Sequence, residues 1–467
     1  MNIWRQESQV FHEVGWRAYF CWKKIYLWLI LCLPVVVSAD EGLDKQRMYE
    51  LIKQQQKLLE QQQQQINELR DIVLKGQKQQ VQVSKKLDKT ERKVKKIARS
   101  SGKFSVSKKG LRVQSKSGDF SFRAGGRIHA DYANYADDVT QMGSGAQLRR
   151  ARIYFKGKLF RDWAYKAEIE FAENGKVGPR GVWLAYNGWK PVTLTLGNFQ
   201  EPFSLEEMTG SNNITFMERS LINTFAPSYH IGLGAKGYGR FWSWSGGVFG
   251  DAFKNKDDNI DNGWGIASRA TFSPILSAKK LFHIGFSSEY RQTDTGNQAR
   301  VRTRPESHIT NRRLVDTRTI KNVDHTWLFG SEIAANYGPF SLQGEYIHSQ
   351  VACLQAKDLG FDGAYVQGSW FLTGESRPYK VKNGTFGAID PLNDYGAWEF
   401  ATRYSWIDLN SKDITGGQES NVTVGLNWYA NYNVRFMMNY TFVQAYPNRN
   451  GINESPNIFQ MRGQVMF

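Results

Sequence analysis

The chain has 467 residues, with 61 Lys and Arg against 44 Asp and Glu and an aromatic content of 14%. Its mean hydropathy of −0.52 excludes a bundle of transmembrane helices. Only Cys353 lies beyond the first forty residues, so the sequence also excludes a disulfide scaffold and a cysteine-based metal site.

The first segment has the pattern of an export signal. Lys23 and Lys24 precede an apolar run, which ends in the small-residue sequence Val37-Ser38-Ala39. The run has about 13 residues, whereas a membrane-spanning helix needs roughly 20. Residues 1–39 are therefore predicted to be a signal peptide cleaved after Ala39, with a signal anchor as the alternative. Export also argues against a nucleic-acid partner.

The second segment, residues 40–103, has the heptad pattern of an α-helical coiled coil. Apolar residues occupy most a positions, while the d positions include polar residues such as Gln55 and Gln62. The a positions with apolar residues are Ile52, Leu59, Ile66, Val73, Leu87 and Val94. The pattern predicts a weak periplasmic coiled coil, and a Gln-rich disordered spacer is the alternative. The basic stretch from Lys85 to Arg99 favours contact with peptidoglycan.

From Phe104 the pattern changes to period two, with apolar residues such as Ile128 alternating with polar ones such as Arg127. Amphipathic strands of about 10 residues separated by turns are typical of an antiparallel outer-membrane β-barrel. The roughly 364 residues of this segment, 104–467, predict about 16 strands, and 18 is the alternative. The last strand ends on Phe467, which has the position of a barrel-insertion signal.

Five motifs occur in order within residues 104–467. They run from Leu148 to Gly157, Gly197 to Glu207, Thr215 to Leu221, Gly368 to Glu375 and Gly425 to Tyr429. Together they resemble the phosphate-selective porin O/P family. The resemblance implies a homotrimer of 16-stranded barrels in a Gram-negative outer membrane, surrounded by lipid and lipopolysaccharide. It also implies a loop folded into each lumen and basic residues that guide anions.

The polar face of the predicted strands is strongly basic, and an Arg-lined or Lys-lined lumen makes an anion pore. The alternation along a strand determines which face of the barrel wall a residue occupies, but not its position along the barrel axis. The residues assigned to the lumen are Arg123, Arg127, Arg150, Arg152, Lys156, Lys158, Lys166, Arg269, Arg291, Arg403, Arg435 and Arg462. Acidic residues such as Glu168 and Glu332 share this face. Each basic residue could therefore either select anions or form a structural ion pair, and the sequence leaves both roles open.

Between Gly197 and Gly232 the alternation lapses, which predicts the inward-folded constriction loop. Its candidate residues are Glu201, Glu206, Glu218 and Arg219. The family implies a lysine-rich site at the constriction, whereas no Lys occurs between Lys190 and Lys236. The residues therefore favour general anion passage over phosphate binding. A second irregular stretch, Thr293 to Asp324, is predicted to be a surface-exposed extracellular loop that gathers anions or contacts lipopolysaccharide.

The predicted function is a porin that passes small anionic solutes, with phosphate and polyphosphate among the candidates. The sequence has neither HExxH nor GxSxG, so we predict no catalytic residue, no metal site and no cofactor. The alternative is a structural outer-membrane anchor or tether whose coiled coil contacts the cell wall.

Overall fold

The computed structural model describes residues 44–100, 102–173, 176–250 and 262–467. The signal peptide predicted at residues 1–39 lies outside the described residues. The chain divides into two compact units, Met1–Val94 and Lys95–Phe467. Within the described ranges, no helix is both long and apolar enough to cross a membrane.

The first element is one long helix, α1 (Asp44–Ser100). The sequence of this helix contains no Pro and a single Gly, Gly76. It therefore has no proline to break the backbone hydrogen bonds and only one residue of low helix propensity of this kind. Apolar a positions are open to solvent: the exposed fraction is 65% for Leu59 and 68% for Leu87. The predicted helix is confirmed, while its association into a coiled coil stays a prediction.

The rest of the described chain is mainly β-structure, with two short pieces of 3-10 helix (Leu221–Thr224 and Val381–Asn383) and a short helix, α2 (Leu205–Met208). The strands are β1 (Gly102–Ser107), β2 (Gly110–Ser115), β3 (Ser121–Ala136), β4 (Gly145–Leu159), β5 (Trp163–Glu173), β6 (Lys176–Tyr186), β7 (Thr193–Gln200), β8 (Tyr229–Tyr238), β9 (Trp242–Phe249), β10 (Trp264–Leu276), β11 (Lys280–Gln292), β12 (Gln298–Ala299), β13 (Arg302–Thr303), β14 (Val315–Asp316), β15 (Ile320–Lys321), β16 (Val323–Tyr337), β17 (Phe340–Cys353), β18 (Leu359–Phe371), β19 (Tyr379–Lys380), β20 (Thr385–Phe386), β21 (Ala397–Ser411), β22 (Ile414–Tyr429), β23 (Val434–Ala445) and β24 (Asn457–Met466).

Sixteen strands of the described chain close into an antiparallel barrel: β3 to β11, β16 to β18 and β21 to β24. The last strand pairs with the first, with Met461 opposite Tyr132. The other two strands of the main sheet, β1 and β2, form a hairpin on the end of β3, with Leu111 opposite Ala124. The closed barrel therefore has the predicted 16 strands.

The two faces of the barrel wall differ in polarity, as the alternation predicts. On β3, Ile128 and Tyr132 are exposed on the outer face, while His129 and Asp131 are buried on the inner face. Aromatic rings stack along the outer surface; one example is Trp398 against Trp428, with centroids 5.8 Å apart. An outward apolar band with interfacial aromatic residues is typical of a barrel surrounded by lipid.

The two ends of the barrel carry different connections. We call the end that includes the short connections after β4, β8 and β10 the turn end, and the opposite end the loop end. The loop end carries the long connections 201–228 and 293–322. One connection at the turn end is also long, residues 372–396 between β18 and β21.

Apolar side chains fill one side of the barrel interior. Phe203 and Leu221 of loop 201–228 and Val315 of loop 293–322 pack against inward residues of β16 to β18 and β21, such as Phe361 and Ile407. All of these side chains are almost fully buried. The wall from β3 to β8 carries polar and basic inward residues, and buried polar residues such as Arg403 and Asn427 also line β21 to β24.

Candidate pore site

Loop 201–228 folds into the barrel and is held there by carboxylates. Glu345 on β17 accepts hydrogen bonds from the backbone N–H groups of Leu205 (2.8 Å) and Glu206 (2.7 Å). Within the loop, the Glu206 carboxylate accepts bonds from Ser220 N (3.0 Å) and Oγ (2.6 Å). The alternation lapses here because these residues form a folded loop and not a strand.

Arginines of the wall bind the backbone of the same loop. Arg435 on β23 donates to the carbonyl oxygens of Ile214 (2.7 Å) and Thr215 (2.8 Å). Arg462 on β24 donates to the carbonyl oxygen of Met217. These guanidinium groups are almost fully buried, so their hydrogen bonds fix the loop against the wall.

Glu218 is the most heavily paired carboxylate of loop 201–228. Arg149 donates two bonds to it (2.8 and 3.0 Å), Arg462 donates a third (2.8 Å), and Arg150 lies 3.9 Å away. Burial by itself would raise the pKa of Glu218, but Arg149, Arg150 and Arg462 hold that pKa well below its ordinary value. Glu218 therefore stays ionised and neutralises part of this arginine group.

A β-bulge explains why two successive arginines reach Glu218. On β4, Arg150 lies opposite His129 and Leu148 lies opposite Ala130, so Arg149 is the extra residue. A bulge places two neighbouring side chains where regular pairing allows one. Period-two parity assigns Arg150 to the lumen and Arg149 to the outer face, so the sequence reasoning missed Arg149.

The other predicted constriction residues also lie in this loop. Glu201, fully buried at its start, pairs with Arg291 and lies 2.6 Å from the imidazole of His230. Arg219 lies 3.3 Å from Glu207 and donates to the carbonyl oxygen of Glu206 at 3.0 Å. Their part in a constriction stays a prediction.

Most of the predicted lumen residues have acidic partners. The pairs are Arg127 with Glu168 (3.6 Å), Arg152 with Glu168 (3.3 Å) and Glu170, Lys166 with Glu168 (2.7 Å), Arg269 with Glu332 (2.6 Å), Arg291 with Glu289 (2.8 Å), Arg403 with Glu206 (3.4 Å) and Glu306, and Arg435 with Glu399 (3.6 Å). Arg123, Lys156 and Lys158 have no acidic partner among the described residues, and Lys158 is exposed at the turn end. Their role in anion selection stays a prediction.

Four basic residues form a row across neighbouring strands at the turn end, which we call the basic row. Arg112 lies opposite Arg123, Arg123 opposite Lys156, and Lys156 opposite Lys166. Like charges directly opposite each other destabilise a sheet. Glu168 is the one acidic partner of this row within the described chain. The row therefore leaves uncompensated positive charge on the wall.

Three further lysines lie on the interior near this row, and the sequence analysis missed all three. Lys236 on β8 and Lys382 line a cavity of about 490 Å³ together with Lys166. Lys380 is close enough to Lys156 for the two charges to interact. None of Lys236, Lys380 and Lys382 has an acidic partner among the described residues. Lysines thus come from the wall and from loop 372–396, and loop 201–228 contributes none.

Loop 372–396 enters the barrel from the turn end. Arg269 donates to the carbonyl oxygens of Asn383 (3.1 Å) and Gly384 (2.7 Å). The hydroxyl of Tyr379 lies 2.6 Å from Nδ1 of the fully buried His283. These contacts hold Lys380 and Lys382 on the interior. Nothing in the period-two pattern distinguishes this loop from an exposed turn.

The prediction that loop 293–322 is exposed along its whole length is wrong, because part of the loop enters the barrel. Glu306 is 5% exposed, and its carboxylate accepts hydrogen bonds from Thr423 Oγ1 (2.9 Å), Ser405 Oγ and Arg403. Gln460 donates to the Glu306 carbonyl oxygen at 3.1 Å. Hydrogen bonds from three strands, β21, β22 and β24, replace the contacts that Glu306 would make with water.

Loops 201–228 and 293–322 line an arginine-rich cavity of about 230 Å³ at the loop end, which we call the arginine vestibule. Its lining includes Arg149, Arg302, Arg304 and Arg313 together with His308. Arg304 donates to the carbonyl oxygen of Thr310 (2.9 Å) and has no carboxylate partner among the described residues. Burial, followed by repulsion from Arg149, lowers the pKa of His308 to about 3, so its imidazole is neutral at pH 7.

Phe467 completes the closure of the barrel at the turn end. Its carbonyl oxygen accepts a bond from Gly126 N (2.8 Å), and its N–H donates to the Gly126 carbonyl (3.0 Å). A side chain at Gly126 would clash with the Phe467 ring, at 2.6 Å, so the close packing needs glycine there. A role of Phe467 as an insertion signal stays a prediction.

A family model described as phosphate-selective porin O and P matches residues 122–467. Porin O of Pseudomonas aeruginosa is 29% identical over 401 residues, covering 77% of this chain and 91% of the relative. An uncharacterized protein of Caulobacter vibrioides is 30% identical over 365 residues, 72% of each chain. A loop L8 deletion mutant of OmpT, an outer membrane protein of Vibrio cholerae, has the same fold: the TM-score is 0.50 at 11% identity, over 75% of this chain and 100% of that one.

Proposed function

This chain belongs to the phosphate-selective porin O and P family and is an outer-membrane porin of a Gram-negative cell. We propose that its pore selects small anions. The observation that carries the proposal is the basic row with the three lysines near it. These side chains lie on the interior with a single carboxylate partner among the described residues, so they attract mobile anions instead of being neutralised within the protein. Fold and family indicate a channel and not an enzyme.

The path that we propose begins in the arginine vestibule and ends at the basic row. It runs along the wall from β3 to β8, because apolar side chains of two loops fill the opposite side. Arg304 at the loop end and Lys156 at the turn end carry charges without carboxylate partners. Guanidinium groups bind oxyanions through paired N–H donors, and lysines act as point charges. Both fit phosphate and polyphosphate as well as chloride.

The alternative of a structural anchor is disfavoured by the size of the barrel. Sixteen strands are enough to leave an aqueous channel, whereas small barrels fill with side chains. We also infer that the porin forms a homotrimer surrounded by lipid and lipopolysaccharide, with α1 in the periplasm and able to contact peptidoglycan. The short turns support this orientation, because outer-membrane barrels have their short connections on the periplasmic side.

A planar-bilayer experiment tests anion selection. We expect the wild-type reversal potential in a KCl gradient to show chloride preference. In water, a charge about 8 Å from the path stabilises a passing chloride by about 0.5 kcal/mol and destabilises a passing potassium ion by the same amount. The double variant Arg123→Gln with Lys156→Gln should therefore lower the chloride-to-potassium permeability ratio about thirtyfold. The matched control removes Lys279 and Lys280, which are exposed at the turn end, and should leave the ratio unchanged.

Titration of phosphate against chloride then tests the oxyanion preference. We expect phosphate to block chloride current in the wild type and to block it less in the double variant. An unselective wild-type pore would contradict the anion proposal. A chloride-selective pore that phosphate does not block would retain anion passage and remove the oxyanion preference.

A further inference from the structure

The cavity of about 490 Å³ that Lys166, Lys236 and Lys382 line also has apolar walls, and we call it the lysine cavity. Its volume lies in the range of about 300–1,000 Å³ that is typical of sites for small molecules. No Asp or Glu of the described chain lines it. The apolar and aromatic side chains of its lining include Trp183, Phe199, Pro202, Met208 and Tyr229.

Trp183 on β6 faces the interior beside a lysine. Its neighbours along the strand, Val182 and Leu184, are exposed on the outer face of the barrel. Trp183 lies directly opposite Lys166 of β5, which places the indole ring and the ammonium group on the same face of the wall. The ring is only half-buried, so part of its surface is open to the lysine cavity.

Two further rings of the lysine cavity are held in place by close contacts. Phe199 packs against the buried ring of Phe249, with centroids 5.1 Å apart. A side chain at Gly234 would come within 2.9 Å of the Phe199 ring, so the glycine makes room for that ring. A Cβ atom at Gly181 would be 3.3 Å from the Tyr229 ring, which places Tyr229 against β6. Rings fixed in this way form a pre-organised surface for a solute.

The positive charges of the lysine cavity are only partly compensated. Lys166 pairs with Glu168 at 2.7 Å. Lys236 and Lys382 have no acidic partner among the described residues, and Nζ of Lys382 lies 5.1 Å from the centroid of the Tyr238 ring. The cavity thus combines two uncompensated ammonium groups with aromatic surface.

Inorganic anions use only one part of this lining. Phosphate accepts hydrogen bonds through all of its oxygens, and contact with apolar surface leaves some of these acceptors without a donor. An arylcarboxylate uses both parts, because its ring packs on aromatic side chains while its carboxylate pairs with ammonium groups. The mixed lining therefore favours anions that carry an apolar body over phosphate and chloride.

We propose that the lysine cavity is a binding site for small organic anions whose charged group is attached to an aromatic or other apolar body, with arylcarboxylates as the simplest members. The proposal rests on the anion pore proposed above and names a solute class for it. The aromatic body lies against Trp183 and Phe199, and the carboxylate faces Lys236 and Lys382. Such anions bind in the cavity on their way along the wall from β3 to β8.

Block of the chloride current of the full-length protein in planar bilayers tests the site. Benzoate is compared with acetate, which has the same carboxylate without the ring, and with benzylammonium, which has the ring with the opposite charge. Trp183→Gln removes an aromatic face of the cavity, and Lys236→Gln removes a charge. The matched control, Trp189→Gln, removes an exposed ring from the turn after β6 that does not line the cavity. Conductance of each variant confirms that its barrel is folded.

We expect benzoate to block the wild-type current at a concentration about tenfold lower than acetate does, because packing of its ring adds to the attraction that both carboxylates share. Benzylammonium should not block. Trp183→Gln should remove the difference between benzoate and acetate, whereas Lys236→Gln should weaken block by both. Trp189→Gln should behave like the wild type.

The wild-type comparison decides the proposal even where a variant fails to form channels. Equal block by benzoate and acetate in a chloride-selective pore would overturn the site and keep the anion pore. Block by benzylammonium as strong as that by benzoate would also overturn it, since the lysines would then play no part. A pore without chloride preference would contradict the proposed function, and preferential block by benzoate in that pore would still support the site.

Discussion

At the scale of single residues, many arginines of the wall bind the inserted loops, and Arg149, which lines the vestibule, is one of them. Arg435 donates to carbonyl oxygens of loop 201–228, and Arg462 donates to Glu218 of that loop and to Asp131 of β3. Arg304 has no carboxylate partner among the described residues. Sequence parity assigned the wall arginines to the lumen but could not tell which of them are neutralised, because acidic partners come both from loops, such as Glu218, and from other strands, such as Glu332.

Replacing Glu218 tests whether a loop carboxylate limits anion selection. In Glu218→Gln the guanidinium groups of Arg149, Arg150 and Arg462 lose their shared negative charge, so we expect a higher chloride-to-potassium permeability ratio. Loss of one partner of a buried ion pair typically costs about 3–5 kcal/mol, so loop 201–228 should also fluctuate more and make the current noisier.

Reversal potentials and current noise in planar bilayers give the readout. Asp413→Asn, which removes an exposed carboxylate from the loop end, is the control and should change neither quantity. An unaltered permeability ratio in Glu218→Gln would show that the nearby arginines do not act on passing anions.

His308 predicts a pH dependence of loop 293–322. Its pKa in the folded loop is about 3, whereas an opened loop should return it toward 6.5. Between these values the opened form takes up a proton and the folded form does not, so closure of the loop loses stability as the pH falls from about 6.5 to 3. His308→Gln should remove this contribution.

Hydrogen exchange of residues 293–322 at pH 7 and pH 4.5 measures the loss of loop stability. Wild type and variant are compared at the same pH, so the pH dependence of the exchange reaction itself cancels. The wild-type loop should lose more protection at pH 4.5 than His308→Gln loses. The control is His348→Gln, whose imidazole pairs with Asp362 away from the vestibule. Equal losses in wild type and His308→Gln would sink the prediction.

At the scale of elements, loop 372–396 and the bulge on β4 are the features that sequence reasoning missed. The loop follows β18 at the turn end, where most connections are short. Its insertion depends on Arg269 and on the contact between Tyr379 and His283, residues from strands far away in sequence. A local pattern cannot reveal such contacts, because none of the partners lies nearby in the chain.

Two variants of loop 372–396 separate its bulk from its charge. Replacing residues 377–389 with a short Gly-Ser linker removes the inserted segment, so both a larger conductance and a lower anion preference are expected. The double variant Lys380→Gln with Lys382→Gln keeps the segment and removes two charges, so anion preference should fall while conductance changes little. Single-channel conductance and reversal potential distinguish the two. A conductance unaffected by the linker would place this loop away from the ion path.

At the scale of the whole molecule, the barrel combines an apolar outer surface with a basic interior. Anion preference that arises from this interior must depend on salt, because the Debye length falls from about 30 Å at 0.01 M to about 3 Å at 1 M. We therefore expect the chloride-to-potassium permeability ratio to decrease as KCl rises over this range. The variant without Arg123 and Lys156 should show a weaker dependence. A ratio that is independent of salt would point to size exclusion.

Much of the fold and part of the site follow from the sequence. The alternation on β3, with Ile128 outward and His129 inward, fixes which face meets lipid, and chain length together with strand period gives the number of strands. Heptad spacing gives α1. These properties are local, since each depends on residues two or seven positions apart, and that is why a single sequence determines them.

Only the tertiary structure decided where the charges act. It joined Glu218 to three arginines, set Arg112 beside Arg123, and brought Lys382 onto the interior. It also packed apolar loop residues against the inward side chains of β16 to β18 and β21. Pairing of charges depends on distance in space, and barrel closure brings residues hundreds of positions apart into contact, so the periodicity of the chain carries no record of it.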